Sequence, residues 1–261
     1  MGKIIALVNQ KGGVGKTTSS INLAASLGML KKKVLLVDLD PQGNSTTGVG
    51  INKTDYSASM YELLKDEATL ADVVIKTKFK NLYVIPATIN LAGIDFELME
   101  MQNRNSAFIK GNQLKKHLGE VKDTFDYIII DCPPSLGILT TNALTAADSV
   151  IIPVQCEFFA LEGIMQLLNT IILAQKNLNP TLDIEGVLLT MLDSRTNLGL
   201  EVVEDVKGYF KEKVYDTIIP RLVKLSEAPG HGKPIIAYDP QSRGSEAYIN
   251  LAKEVVERNG N

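Results

Sequence analysis

Asn9-Gln10-Lys11-Gly12-Gly13-Val14-Gly15-Lys16-Thr17-Thr18 is the stretch that decides how this chain is read. It follows the apolar run Ile4-Ile5-Ala6-Leu7-Val8, which has the length and composition of a buried strand. It precedes Ser20 to Lys31, where Ile21, Ala24, Ala25, Leu27 and Gly28 keep helical spacing. Strand, glycine loop and helix in that order are the context a phosphate-binding loop requires. Glycines let backbone N–H groups turn toward a polyphosphate, and the helix N-terminus adds partial positive charge. Gly12, Gly13, Val14, Gly15, Lys16, Thr17 and Thr18 are therefore expected to bind nucleotide. Lys16 is expected to reach the β- and γ-phosphates, and the Thr17 hydroxyl to ligate Mg²⁺. The pattern G-x-x-x-x-G-K-[ST] calls for a first glycine where Gln10 stands, and a second lysine, Lys11, sits inside the loop.

Further apolar runs end in acids. Val34-Leu35-Leu36-Val37-Asp38 leads into Asp38-Leu39-Asp40-Pro41-Gln42-Gly43-Asn44, at the strand edge where α/β proteins place ligands. Asp40 is a candidate for orienting the attacking water and Asp38 for holding a metal ion through water. Tyr127-Ile128-Ile129-Ile130-Asp131 has the form of a Walker B strand, whose terminal Asp131 would hold Mg²⁺ through a water. Strands are also expected at Leu82–Pro86, Ser149–Val154 and Ile184–Leu192. Short helices are expected at Met60–Leu64 and Leu70–Val74, and longer ones at Ile89–Met101, Ala107–Val121 and about Leu161–Lys176. This alternation predicts an α/β fold: one doubly wound, mostly parallel sheet with helices on both faces, in a single domain over residues 1–261.

Composition narrows the class. The 261 residues are 45% hydrophobic and 22% charged, ordinary for a globular chain with a full core. No apolar run approaches the roughly 18 residues of a membrane span, Met1-Gly2-Lys3 runs straight into the first strand, and Ala6 breaks the N-acylation pattern. Neither signal peptide nor span is expected. Cys132 and Cys156 lack metal-ligand spacing and suit a reducing cytoplasm. A net charge of −3 argues against a uniformly basic nucleic-acid binder, so any DNA contact must come from a local patch. The lysines of the interval from Lys207 to Lys224 read, on spacing alone, as an ordinary charged helix face.

The two-lysine loop KGGVGKTT resembles the deviant Walker A ATPases. With DLDPQGN, IIIDCPPSLG, IPVQCEFFALEG, LLTMLDSRTNLG and IPRLVKLSEAPGHGKPI, the resemblance covers essentially the whole chain and is to the Soj branch of the ParA chromosome-partitioning ATPases. It implies ATP and Mg²⁺ as cofactors and slow hydrolysis, with Lys11, Lys16 and Asp40 catalytic and Lys11 reaching the partner's nucleotide in an ATP-dependent homodimer. It implies Met191 and Pro220 beside the adenine. It implies non-specific binding of double-stranded DNA by Arg195, Lys211, Lys213, Arg221, Lys224 and Arg243, stimulation by a ParB-type centromere-binding protein, and a cytoplasmic, nucleoid-associated location. With the first strand beginning at once, no N-terminal helix-turn-helix module is expected. Three alternatives bear comparison, the first sharing the loop and the second the fold. A MinD-like membrane switch needs a C-terminal amphipathic anchor, whereas Glu246 to Arg258 reads as a packing helix. A synthetase of the dethiobiotin type would need a substrate motif, and an iron–sulfur reductase a different cysteine placement.

Overall fold

The computed structural model describes residues 2–157 and 160–260. Seven strands form one sheet in the order β3-β4-β2-β5-β1-β6-β7. They are β1 (Lys3–Leu7), β2 (Val34–Asp38), β3 (Ile75–Lys76), β4 (Leu82–Ile85), β5 (Tyr127–Asp131), β6 (Ser149–Gln155) and β7 (Asp183–Thr190). Every pairing is parallel except that of β3 with β4 at the edge. The helices are α1 (Lys16–Met29), α2 (Asn44–Gly48), α3 (Met60–Leu64), α4 (Leu70–Val73), α5 (Ile94–Arg104) and α6 (Gln113–Val121). They continue as α7 (Ile138–Ala146), α8 (Ala160–Asn177), α9 (Asn197–Phe210), α10 (Val223–Glu227), α11 (Ile235–Tyr238) and α12 (Arg243–Arg258).

Strand side chains point alternately to two cores, as a period of two dictates. Ile4 and Ala6 of β1, Leu35 and Val37 of β2, and Ile128 and Ile130 of β5 meet residues of α3 through α9. Their neighbours Ile5, Leu7, Val34, Leu36, Tyr127 and Ile129 meet α1, α10, α11 and α12. Because both faces are covered, the strands are apolar throughout, with no polar alternation. This is the doubly wound arrangement expected from the sequence. Within it, α12 lies on α1: Tyr248, Leu251, Ala252 and Val255 are buried, and the hydroxyls of Tyr248 and Ser19 are 3.1 Å apart.

Three expectations are corrected. The helix expected over Ala107–Val121 begins only at Gln113. Residues 105 to 112 instead make local turns, with Ala107 N donating to Asn105 Oδ1 and Asn112 N to the Ile109 carbonyl. The segment Ile89–Met101 splits into a 3-10 turn, Ile89–Gly93, followed by α5. The strand expected to reach Leu192 ends at Thr190, because Met191 takes a left-handed conformation (φ 54°). Of the quoted motif around Cys156, Phe158 and Phe159 lie outside the described residues, as do Met1 and Asn261.

Candidate nucleotide site

The C-terminal ends of β1, β2, β5 and β7 converge on the loop of residues 8–15. Its shape is fixed from three sides. Asn9 Oδ1 accepts from Lys11 N (2.9 Å), Asn9 Nδ2 donates to the Pro153 carbonyl (2.8 Å), and Thr190 Oγ1 donates to the Val14 carbonyl (2.9 Å). Gly13 and Gly15 have φ of 77° and 87°, values costly for a residue with a Cβ, and Gly15 caps α1. The first turn of α1 carries no acid, so its N-terminal field stays positive. Lys16 is buried, and its Nζ donates to the Lys11 carbonyl (3.0 Å). Desolvation lowers its pKa, opposed by the nearby Asp131, Cys132 and Asp40.

A groove of about 310 Å³ runs over this loop, lined by Gly12, Gly13, Gly15, Lys16, Thr17, Thr18, Asp40, Asn44, Pro134 and Met191. Gly15, Thr18 and Met191 also border a second, more apolar cavity of about 140 Å³. That cavity adds Ile219, Pro220, Leu222, Leu225 and Tyr248, a slot suited to an aromatic base next to a phosphate groove. Met191 and Pro220, the expected base contacts, thus stand together. The pairing of Leu192 with Pro220 and the bond from Arg221 N to the Leu192 carbonyl (3.0 Å) hold them there.

Asp38 and Asp131 are opposite each other in the β2–β5 register, and both are fully buried. Asp38 Oδ2 accepts from Thr46 N (2.8 Å) and Oγ1 (2.7 Å), and its Oδ1 from Asp40 N (3.1 Å). Asp131 Oδ1 accepts from Ser20 Oγ (3.0 Å) and Oδ2 from Ser45 Oγ (2.7 Å), while the Thr17 hydroxyl also stabilises its charge. Burial, then the neighbouring Asp131 charge, lifts Asp38 well above the ordinary carboxylate range; burial also lifts Asp131, against those hydroxyls. Ser20, Ser45 and Thr46 were not singled out in the sequence. The only hint was polar residues recurring where α1 and α2 face the strand ends.

These groups fit Mg²⁺. Thr17, Asp38 and Asp131 are hard oxygen donors, and the two carboxylates are buried side by side, where a divalent charge would favour their ionised forms. No cluster of three or more His, Cys, Asp or Glu with ligand geometry occurs among the described residues. A small oxygen set suits an ion that keeps several waters and shares phosphate oxygens. Asp40, half-buried in the groove lining, has one carboxylate oxygen held by Gln42 N (2.9 Å).

Residues 2–184 match the family model described as AAA domain. Over 255 residues the chain is 62% identical to the sporulation initiation inhibitor protein Soj of Bacillus subtilis (strain 168), covering 98% of each. It is 53% identical over 260 residues to the chromosome-partitioning ATPase Soj of Treponema pallidum (strain Nichols), covering 100% of this chain and 99% of the relative. The chain belongs to the ParA/Soj family of chromosome-partitioning ATPases. A solved structure, cobyrinic acid a,c-diamide synthase from Mycobacterium smegmatis with bound ADP and magnesium, superposes with a TM-score of 0.85 at 35% identity. The match covers 100% of this chain and 96% of that one.

The cations expected to contact DNA in this ParA/Soj chain fall in two places. Arg195, Arg221, Lys224 and Arg243 are exposed and lie on segments that follow the strand ends on the nucleotide side. Arg195 makes a forked pair with Asp193 (2.8 and 2.7 Å), which drops the Asp193 carboxyl to about 2, and Lys224 pairs with Asp239 (2.5 Å). Arg221 and Arg243 make no ion pair among the described residues. Lys213 instead binds Asp183 (3.0 Å) and the Ile184 carbonyl (2.6 Å) at the start of β7, with Lys211 beside it. From Ile184 to Thr190 the strand covers roughly 20 Å at about 3.3 Å per residue. Lys211 and Lys213 therefore lie at the opposite end of the sheet from the other four. The two thiols are also inside: Cys132 and Cys156 are buried, and burial raises both, Cys156 to about 11.

Proposed function

We propose that this ATPase works as a nucleotide-gated clamp: Mg·ATP closes two copies face to face, the pair holds double-stranded DNA without sequence preference, and hydrolysis releases it. The observation that carries this reading is at Gly12. A Cβ built there meets no atom within 4 Å, and its φ is not in the left-handed region. Nothing in its own chain requires glycine at this point, whereas a second loop approaching across a shared nucleotide would. Lys11 is exposed beside it, and its one ion pair among the described residues is a long one, to Glu157 at 3.9 Å, so its ammonium can turn outward toward a partner's phosphates.

Within each site Lys16 exchanges the Lys11 carbonyl for phosphate oxygens, and the loop N–H groups take the remaining charge. Thr17, with Asp38 and Asp131 behind it, would hold Mg²⁺, which supplies charge neutralisation between the phosphates when bound. Asp40 orients a water that attacks the γ-phosphorus; the bond to the bridging oxygen breaks, giving ADP and inorganic phosphate. Positioning and charge stabilisation by Lys16 and the partner's Lys11 are the main sources of rate. Arg195, Arg221, Lys224 and Arg243 then bind backbone phosphates, and two aligned copies double the number of contacts. A ParB-type protein is the partner that accelerates turnover, in the cytoplasm at the nucleoid.

The membrane-switch alternative is weaker because the apolar side of α12 is already buried on α1. The deciding experiment is co-sedimentation with duplex DNA and, separately, with anionic liposomes. Each is run with ADP, ATP and a slowly hydrolysed analogue, with and without a ParB-type protein. Retention on DNA that requires the triphosphate is expected. Equal behaviour in ADP and ATP, or liposome binding alone, would refute the clamp.

A further inference from the structure

A second concavity, of about 630 Å³, opens on the α1 side of the sheet, apart from the nucleotide groove. Two segments distant in sequence build its walls: Thr47 to Asn52, running on from α2, and Pro229 to Lys233, with Lys78 and Phe79 closing one end. The walls are locked together by backbone. Gly50 and Gly232 both have left-handed φ (78° and 62°), and a Cβ on Gly50 would stand 2.9 Å from the Gly232 carbonyl oxygen. The cavity is thus pre-formed, and its volume lies in the range of small-molecule sites, about 300–1,000 Å³.

Its charge sets the ligand class. Lys78, His231 and Lys233 face it, and no acid lines it. Lys78 and Lys233, with the neighbouring Lys53, Lys76 and Lys80, enter no ion pair among the described residues. Two nearby acids, Asp55 and Glu227, stay outside the lining. Asp55 accepts from Asn52 N and Nδ2, and Glu227 accepts from the Tyr238 hydroxyl beside the His231 ring. In a chain of net charge −3, unpaired cations around a fixed cavity are a demand for an anion. Phe79 and the His231 ring add flat apolar surface next to that charge.

We infer that this cavity is a second ligand site, for a small molecule carrying two or more phosphates, distinct from the ATP groove. Thr47, in its wall, directly follows Thr46, whose hydroxyl holds Asp38, so a bound ligand touches the same short helix that positions the metal-side carboxylates.

The test uses the full chain with its nucleotide groove filled by Mg·ADP, titrated with inorganic pyrophosphate and followed by amide chemical shifts. Saturable shifts are expected at residues 47–52, 78–79 and 230–233. Affinity should fall about tenfold or more in Lys78→Ala/Lys233→Ala and survive in Lys78→Arg/Lys233→Arg, since each loss removes a charge-assisted bond. Both lysines are exposed, so neither variant endangers folding. Absence of shifts at millimolar pyrophosphate, or equal binding by the alanine variant, would overturn the site. A short duplex DNA shifting these residues where pyrophosphate does not would overturn the small-ligand assignment.

Discussion

Replacing Ser45 by alanine isolates one bond on which the metal side of the site depends. Ser45 Oγ donates to Asp131 Oδ2 at 2.7 Å, and both residues are fully buried, so water cannot take its place. A hydrogen bond to a charged group contributes about 1.5–3 kcal/mol, and removing a single oxygen adds little cavity cost. With part of the Asp131 population protonated in the nucleotide-free protein, about 2 kcal/mol is expected, a fall of roughly 4–8 °C in Tm for a chain of this size. The same bond aims the carboxylate. Losing such a partner costs about 10–100-fold in metal affinity, so the Mg²⁺-dependent gain in ADP affinity should shrink about tenfold or more. ADP affinity in excess EDTA should be unchanged. Because Ser20 serves the other oxygen of the same carboxylate at 3.0 Å, Ser20→Ala and Ser45→Ala should couple, by about 0.5–3 kcal/mol in a double-mutant cycle. Urea denaturation and isothermal calorimetry with and without Mg²⁺ read all of these. A Ser45→Ala protein that melts with the parent and keeps its Mg²⁺ dependence would refute the assignment of Asp131 as a held, metal-facing carboxylate.

Gly12→Val should keep the parent Tm, since its side chain meets nothing in its own chain, and still bind nucleotide, yet abolish ATP-dependent doubling of mass in light scattering; a normal dimer would refute the shared-nucleotide closure. Arg221→Ala should lower the slope of log affinity for DNA against log salt by about one, whereas Lys213→Ala, at the far end of the sheet, should not change it. The reverse order would move the DNA surface to the other rim. For pH, Asp38 and Asp131 have folded pKa values raised above their unfolded ones, so between about pH 4 and about pH 7 the folded state holds protons that the unfolded chain has released. Stability of the nucleotide-free protein should therefore fall as pH rises through that window, and Asp38→Asn should flatten the profile. A flat or rising parent profile in thermal melts would contradict the buried-pair picture.

How much of this was legible in the chain depends on how far each cause lies along it. The phosphate loop, the Asp-terminated strands and the two-faced sheet arise from local spacing, and the sequence displayed them. The start of α6 does not: its first N–H groups meet Asn142 of α7, which accepts from Leu114 N and donates to the Lys110 carbonyl, a cap supplied from another helix. The two-residue β3 carries too few side chains to show a period. The basic interval from Lys207 to Lys224 reads as one cluster along the chain, but it turns round the end of β7 and returns, separating Lys213 from Arg221. Ser20 and Ser45 became visible only when two short helix starts were brought against one carboxylate.

The burial of both native thiols has a practical consequence. Thiolate is the reactive form, and Cys132 and Cys156 are withdrawn from solvent with ionisation pushed out of the neutral range, so maleimide chemistry at pH 7 will pass them by. A single cysteine introduced on the surface, at Lys213 for instance, then takes a fluorophore alone, without first stripping the parent of its own sulfur. Two such dyes on two copies give a distance ruler for association in real time.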